Sequence, residues 1–278
     1  MMTPANEPRW AVEPDTEHSV LSLERTLALL QNGTVEVHRL LPYSSNYTFL
    51  AIIHDDPSER AATPVEHANA TEGSSGRDLR ALVVYKPRKG ERPLWDFPRG
   101  TLCQREVAAY LISEALGWHL VPPTVLRDGP HGWGMVQLYI DHDPDEHYFT
   151  FRDEAAPILP TIALFDIVIN NADRKGGHCL RDRAGCIWCI DHGITFHQDP
   201  KLRTVIWDFV GQAIPESLTA DLRSLQAQLA PRKPLAEALS RLLSAEECEA
   251  LLKRIRYLIR SGHFPSPSSG RHVPWPMV

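Results

Sequence analysis

The chain has 278 residues, 43% hydrophobic and 23% charged, enough to bury the core of one large domain or two lobes; this excludes repeat rods, collagens and disordered tails. Lys plus Arg number 29 against 35 Asp plus Glu, a formal charge of -6, so no general affinity for nucleic acid or anionic membrane is expected and any polyanion must be met by a local basic site. Five sparse cysteines and the lack of a signal-peptide pattern at the start point to a reducing cytoplasm. The longest apolar stretch, Ile158 to Ile169, is broken by Pro160, Thr161 and Asp166, well short of the roughly 20 apolar residues of a spanning helix, so no stable membrane insertion is expected.

Residues 1–20 mix Pro, Glu and Asp without period and read as a flexible arm. A short helix is predicted over Leu21 to Leu30, ended by Gly33. TVEVHRLL and NYTFLAIIH flank Pro42, Ser44, Ser45 and Asn46, which reads as a β-hairpin with a small-residue tip and a first candidate ligand loop. Residues 55–78 hold almost no large apolar side chain and read as a mobile insertion. In LRALVVYKP, alternation puts Leu82, Val84 and Lys86 on one face and Ala81, Val83 and Tyr85 on the other. A helix begins near Gln104 and stops at Gly117, and WGMVQLYI reads as another strand. These elements predict a β-rich N-terminal nucleotide-binding lobe over 21–134.

The second half, 135–265, reads as helical. PTIALFDIVIN is predicted as an amphipathic helix, NADRKGGH as a loop, and CLRDRAGCIWCID as a hairpin turning at Asp182 to Gly185. A helix follows over Leu218 to Leu229, and Ser244 with Glu247 forms a capping box opening a helix with a stripe of Cys248, Leu251, Leu252, Ile255, Leu258 and Ile259. Residues 266–278 are rich in Pro and Ser and read as an extended tail. There is no internal repeat.

The chemistry concentrates in NADRKGGH (Asn171 to His178) and IDHG (Ile190 to Gly193). An acid in a loop, a metal-capable group five positions on, and a second acid after a hairpin form the layout that phosphoryl transfer needs. Asp173 would take the proton of an attacking hydroxyl. His178 and Asp191 would hold a divalent metal against nucleotide phosphates, and Gly193 would let the backbone turn sharply after Asp191.

These two motifs resemble the kinase superfamily, and more narrowly its phosphatidylinositol 3-/4-kinase-like branch with its short bacterial members of unassigned substrate. NADRKGGH matches the branch's D-R-x-x-x-N catalytic loop and IDHG its D-F-G equivalent. Upstream, SSNYTF is similar to the serine-bearing phosphate loop of type II phosphatidylinositol 4-kinases, Lys86 falls where the family's strand lysine sits, and Glu106 where its helix glutamate sits. The likeness covers about Thr34 to Phe209. It implies a two-lobed α+β kinase-like fold, ATP with Mg²⁺ or Mn²⁺ in the cleft, and transfer of the γ-phosphoryl to an alcohol acceptor, whether lipid, protein or small molecule. Lys86 and Glu106 would pair and position phosphate, Ser44, Ser45 and Asn46 would approach it through backbone N–H groups, and backbone near Gln137 to Tyr139 would meet adenine. Lys175 and Arg174 would neutralise the transferring group, and the segment holding Lys201, Arg203 and Trp207 would read the acceptor. One position departs: His178 stands where the family keeps asparagine, and imidazole suits Mn²⁺ or Zn²⁺ better than Mg²⁺. Alternatively, His178 hydrogen-bonds a phosphate or Asp173 and a single metal sits on Asp191.

Blander readings stand beside these. Lys86 alone is a snorkelling edge-strand lysine, Asp173 a helix C-terminal or Asx-turn residue and Asp191 a strand-end cap, and Ser44 to Asn46 an ordinary hairpin tip; Asp166 on the preceding helix either orients the loop or is a solvent-facing acid, the second being favoured. Trp95 and Phe97 read as packing residues, with a clamp on the base of the first lobe or a nucleotide contact as the alternatives. Cys186 and Cys189, three apart on a strand, point to opposite faces and read as core cysteines rather than metal ligands. Two rival functions remain: a nucleotide-binding pseudokinase module, and a metal-dependent phosphohydrolase using His178, Asp191, His192 and His197.

Overall fold

The computed structural model describes residues 22–42, 46–55, 79–267 and 270–278. The expected arm, Ser44 and Ser45 of the candidate phosphate loop, and nearly all of the expected insertion lie outside the described residues. The chain divides into two compact units, Met1–Arg92 with Pro123–Tyr139, and Pro93–Pro122 with Ile140–Val278.

The first unit is a helix and an antiparallel sheet. Helix α1 (Leu23–Asn32) opens where the Ser22 hydroxyl accepts from Arg25 N and closes at Gly33. A Cβ on Gly33 would stand 2.8 Å from both His54 O and Leu29 O, so only glycine fits there. Strands β1 (Thr34–Leu40) and β2 (Phe49–His54) form the expected hairpin, followed by β3 (Arg80–Pro87), β4 (Thr124–Arg127) and β5 (Gly134–Leu138), in sheet order β1-β2-β3-β5-β4. Alternation along β3 holds: Ala81, Val83 and Tyr85 are buried, while Leu82, Val84 and Lys86 form a half-buried opposite face. Arg127 donates to Leu30 O at 3.1 Å and Gly33 O at 2.7 Å, tying β4 to the end of α1.

The second unit is mostly helical. It contains α2 (Leu102–Ala115), the short α3 (Tyr148–Phe151), α4 (Leu159–Ile169), the hairpin of β6 (Cys179–Arg181) and β7 (Ile187–Cys189), then α5 (Glu216–Gln228), α6 (Pro234–Ser240) and α7 (Ala245–Ser261). The hairpin turns where expected, with Gly185 N donating to Asp182 O. Helix α4 differs from its expected amphipathic form: only Pro160 and Ile167 escape burial, because it is packed on all sides. The capping box at Ser244 and Glu247 forms as expected, and Glu247 also meets Arg105 of α2 at 2.5 Å. One carboxylate thus starts α7 and locks α2. Among the described residues no helix is long and apolar enough to cross a membrane.

Candidate active site

Helix α4 ends with Asn170 in a left-handed conformation, φ 52°, a position asparagine tolerates because its short side chain bonds locally. Its amide donates to His197 O and Asp199 O. The chain then enters NADRKGGH, which is braced from below by Asp166. That carboxylate is fully buried and accepts from Asn171 Nδ2 (2.9 Å), Arg174 Nε (3.0 and 3.1 Å) and Thr204 Oγ1 (3.1 Å). Asp166 is therefore the loop's foundation, not the solvent-facing acid its sequence position suggested. The signal in favour of the orienting alternative is a lone acid in the otherwise apolar run LPTIALFDIVI, where burial demands a partner.

Arg174 is equally buried. Burial opposes its charge, but the Asp166 carboxylate together with its other neighbours holds the guanidinium above its already high ordinary value. Its Nη1 donates to His178 O and Ile190 O, both at 3.1 Å, and its Nη2 lies 2.7 Å from His192 Nε2. A guanidinium only donates, so His192 Nε2 is the accepting nitrogen. Arg174 thus ties the NADRKGGH loop to the IDHG segment. Enclosed in this way it does not reach a transferring group, which corrects the role suggested beside Lys175.

Above this base the loop presents its candidate chemistry. Asp173 N donates to Asn171 Oδ1 at 3.0 Å, the Asx turn of the blander reading, and the turn leaves the Asp173 carboxylate a quarter exposed, 3.6 Å from Lys175 Nζ. Burial pushes the Asp173 carboxyl up; Lys175 pulls it back, and the like charge of Asp191 raises it again. His178 Nδ1 lies 2.9 Å from Asp173 O, and its Nε2 lies 3.3 Å from Asp191 Oδ2. A carbonyl only accepts, so Nδ1 carries the proton and a neutral His178 turns its Nε2 lone pair toward the carboxylate. In the imidazolium form Nε2–H donates to Asp191; in the neutral form the nitrogen and the carboxylate oxygen face each other as two potential ligands 3.3 Å apart. The pair could offer one nitrogen and one oxygen to a divalent ion.

Asp191 has φ of 60°, so the sharp turn expected at Gly193 falls on the acid itself. Aspartate accepts this left-handed conformation better than most residues. At the next position, His192 N donates to Glu106 Oε2 at 2.8 Å, so α2 holds the IDHG backbone directly.

The second unit thus brings Glu106, Asp173, Lys175, His178 and Asp191 into one neighbourhood. Lys86, Asn46, Gln137 and Tyr139 belong to the first unit. There Asn46 Oδ1 accepts from Arg92 N at 2.7 Å, Gln137 is buried with its amide donating to Thr124 Oγ1, and Tyr139 N donates to Leu82 O. Two basic residues expected to read the acceptor are engaged internally. Lys201 meets Asp96 at 2.8 Å and lies 5.2 Å from the Trp95 ring centroid; Arg203 donates to Ala172 O at 2.6 Å. Of the phosphohydrolase ligands, His192 faces Arg174 and His197 Nε2 lies 2.9 Å from Asp96 O. Cys189 sits opposite Cys179 across the β6–β7 hairpin, both buried. No three His, Cys, Asp or Glu side chains among the described residues are grouped to hold a metal ion by themselves.

The fold is that of the protein-kinase-like class. Its architecture is similar to the Golgi casein kinase solved with manganese and ADP bound, with a TM-score of 0.51 at 14% identity, over 86% of this chain and 74% of that one. No protein-family model matches the chain. Protein Rv2133c of Mycobacterium tuberculosis (strain ATCC 25618 / H37Rv) is 40% identical over 236 residues, 71% of this chain and 84% of that protein. The chain belongs to the family of Protein Rv2133c.

Proposed function

We propose that the protein is an ATP-dependent phosphotransferase acting on an alcohol, akin to the phosphatidylinositol 3-/4-kinase-like branch. The observation that carries this reading is the grouping of the His178–Asp191 pair, 3.3 Å apart, with the half-buried Asp173 and Lys175 on one loop and the segment that follows it. Asp173 takes the acceptor proton as the hydroxyl oxygen bonds to the γ-phosphorus and the bond to the β-phosphate oxygen breaks, releasing ADP. Its raised carboxyl value moves the base toward working pH. Lys175 offers positive charge next to the transferring oxygens. Asp191 and His178 would hold a divalent ion, Mg²⁺ or Mn²⁺, whose bound form supplies charge neutralisation at the phosphates. Glu106 keeps Asp191 presented by gripping the next backbone amide. Lys86 carries its phosphate-holding role by resemblance alone.

The test is ATP consumption and phosphate transfer with Mg²⁺ or Mn²⁺. Asp173→Asn should retain nucleotide binding and lose about 10²–10⁴-fold in turnover, Asp191→Ala should lose metal-dependent turnover, and Lys86→Ala should weaken nucleotide binding. Turnover unaffected by Asp173→Asn refutes the assignment. A nucleotide-binding regulatory module is favoured instead if the native chain binds nucleotide without turnover. The internal engagement of Lys201 and Arg203 supports that second reading.

A further inference from the structure

The tail from Gly270 to Val278 lies against both segments of the candidate site, within the second unit. Arg174 and Thr204 form a parallel bridge in which Arg174 N donates to Arg203 O (2.9 Å) and Val205 N to Arg174 O (3.1 Å). The amide of Thr204, left over from that bridge, donates to His272 O at 3.1 Å, and Trp207 Nε1 donates to the same carbonyl at 3.0 Å. Further along, Gly176 N donates to Met277 O at 2.7 Å. A Cβ at Gly177 would stand 3.9 Å from Val278 Cγ1. The tail therefore joins the loop that bears Asp173 to the segment that follows IDHG.

These hydrogen bonds run to main-chain carbonyls, which every polypeptide carries, and the tail that supplies them is bent at Val273 and at Trp275–Pro276 and forms no strand. The seat is mixed: Pro274 is buried and His272 and Val273 are half-buried, while Trp275, Met277 and Val278 are 76%, 44% and 54% exposed. Two prolines, Pro274 and Pro276, lower the chain entropy lost on seating. The seated sequence Arg271 to Val278 contains no serine, threonine or tyrosine. It carries no side-chain hydroxyl to act as an alcohol acceptor.

We propose that the amides of Gly176 and Thr204, with Trp207, form a docking edge for the backbone of a polypeptide bearing the acceptor hydroxyl, and that residues 271–278 hold this edge as an internal competitor. The acceptor half rests on the phosphotransfer reading; the docking edge does not. In the transfer the polypeptide's hydroxyl oxygen gains the γ-phosphoryl of ATP, its proton passes to Asp173 and ADP leaves.

The experiment compares the full chain, a chain stopped after Gly270, and a full-length Pro274→Asp variant that puts a charge at the buried position of the tail and loosens it without shortening it. The probe is the fluorescently labelled octapeptide of Arg271 to Val278, with a parallel set carrying one serine at each position. A tethered segment competes at an effective concentration on the order of mM, so both altered chains should bind the octapeptide at least about tenfold more tightly than the full chain. Amide exchange at Gly176 and Thr204 should quicken in both. With ATP, the serine peptides should be phosphorylated with a lowered peptide KM and an unchanged KM for ATP, and the serine-free octapeptide should inhibit competitively against peptide alone. Equal octapeptide binding by all three chains, or binding by none, overturns the docking edge. Tight binding with phosphate moved to a non-peptide alcohol only overturns the polypeptide acceptor. Tight binding with no transfer to any alcohol overturns the phosphotransfer reading and leaves the edge standing.

Discussion

Replacing Asp166 by alanine tests the foundation of the candidate site. Asp166 and Arg174 are both fully enclosed, with a closest approach of 3.0 Å, and the carboxylate also satisfies Asn171 and Thr204. The substitution strands a buried guanidinium, for which breaking a buried pair costs about 3–5 kcal/mol. For a protein of this size each kcal/mol shifts Tm by roughly 2–4 °C, so a fall of roughly 6–20 °C is expected. Denaturation followed by tryptophan fluorescence, with urea midpoints, reads this. The double change Asp166→Leu/Arg174→Met removes both charges and should recover a large part of the stability, since two apolar side chains of similar volume replace a buried pair at little net cost. It should not recover turnover, because His178 O and Ile190 O lose their shared donor. An Asp166→Ala loss under about 1 kcal/mol, the range of an exposed pair, would refute the buried-foundation reasoning, as would a double variant no more stable than the single one.

His178→Asn replaces imidazole by an oxygen ligand and should move metal preference from Mn²⁺ toward Mg²⁺; the ratio of nucleotide affinities in the two ions reads it, and an unchanged ratio removes His178 from the metal. Gly134→Ala would place a Cβ 2.4 Å from Lys86 O and 2.6 Å from Pro87 Cα, a collision with backbone expected to cost about 1–3 kcal/mol by chemical denaturation. A neutral result there would mean that the β3–β5 register is looser than described. Burial raises the Asp96 carboxyl, but the Lys201 hydrogen bond and charge more than offset it and hold it below its ordinary 3.8. A depressed folded value contributes stability above the ordinary value and loses it as pH falls through the folded one. The Tm difference between the native chain and Asp96→Asn should therefore be present at neutral pH and close below about pH 4, and a constant difference between pH 7 and pH 3 would contradict the Asp96–Lys201 link.

Much of the architecture was legible because it rests on local rules. The period of two along LRALVVYKP, the turn at Asp182 to Gly185 and the capping box of Ser244 and Glu247 are set by neighbours within a few residues, and each appears where the sequence places it. The spacing of Asp173, His178 and Asp191 was likewise readable, since a short hairpin leaves the chain little choice but to return. Strand β4 was missed because its four residues are too few to show a period, and α6 because seven residues are likewise short.

The side-chain assignments were a tertiary matter. Whether Asp166 faces water or Arg174, and whether Arg174 reaches a substrate or lies enclosed, depends on what packs around α4. The turn between Asp191 and Gly193 was decided by where α2 could grip the backbone through Glu106. The tail's seat depends on an amide at Thr204 whose partner is 68 positions away, since His272 supplies it. Sequence period and capping report the first few neighbours of a residue. Burial and long-range partners arise only when distant segments compete for the same space, and that competition gave the candidate site its base and its internal competitor.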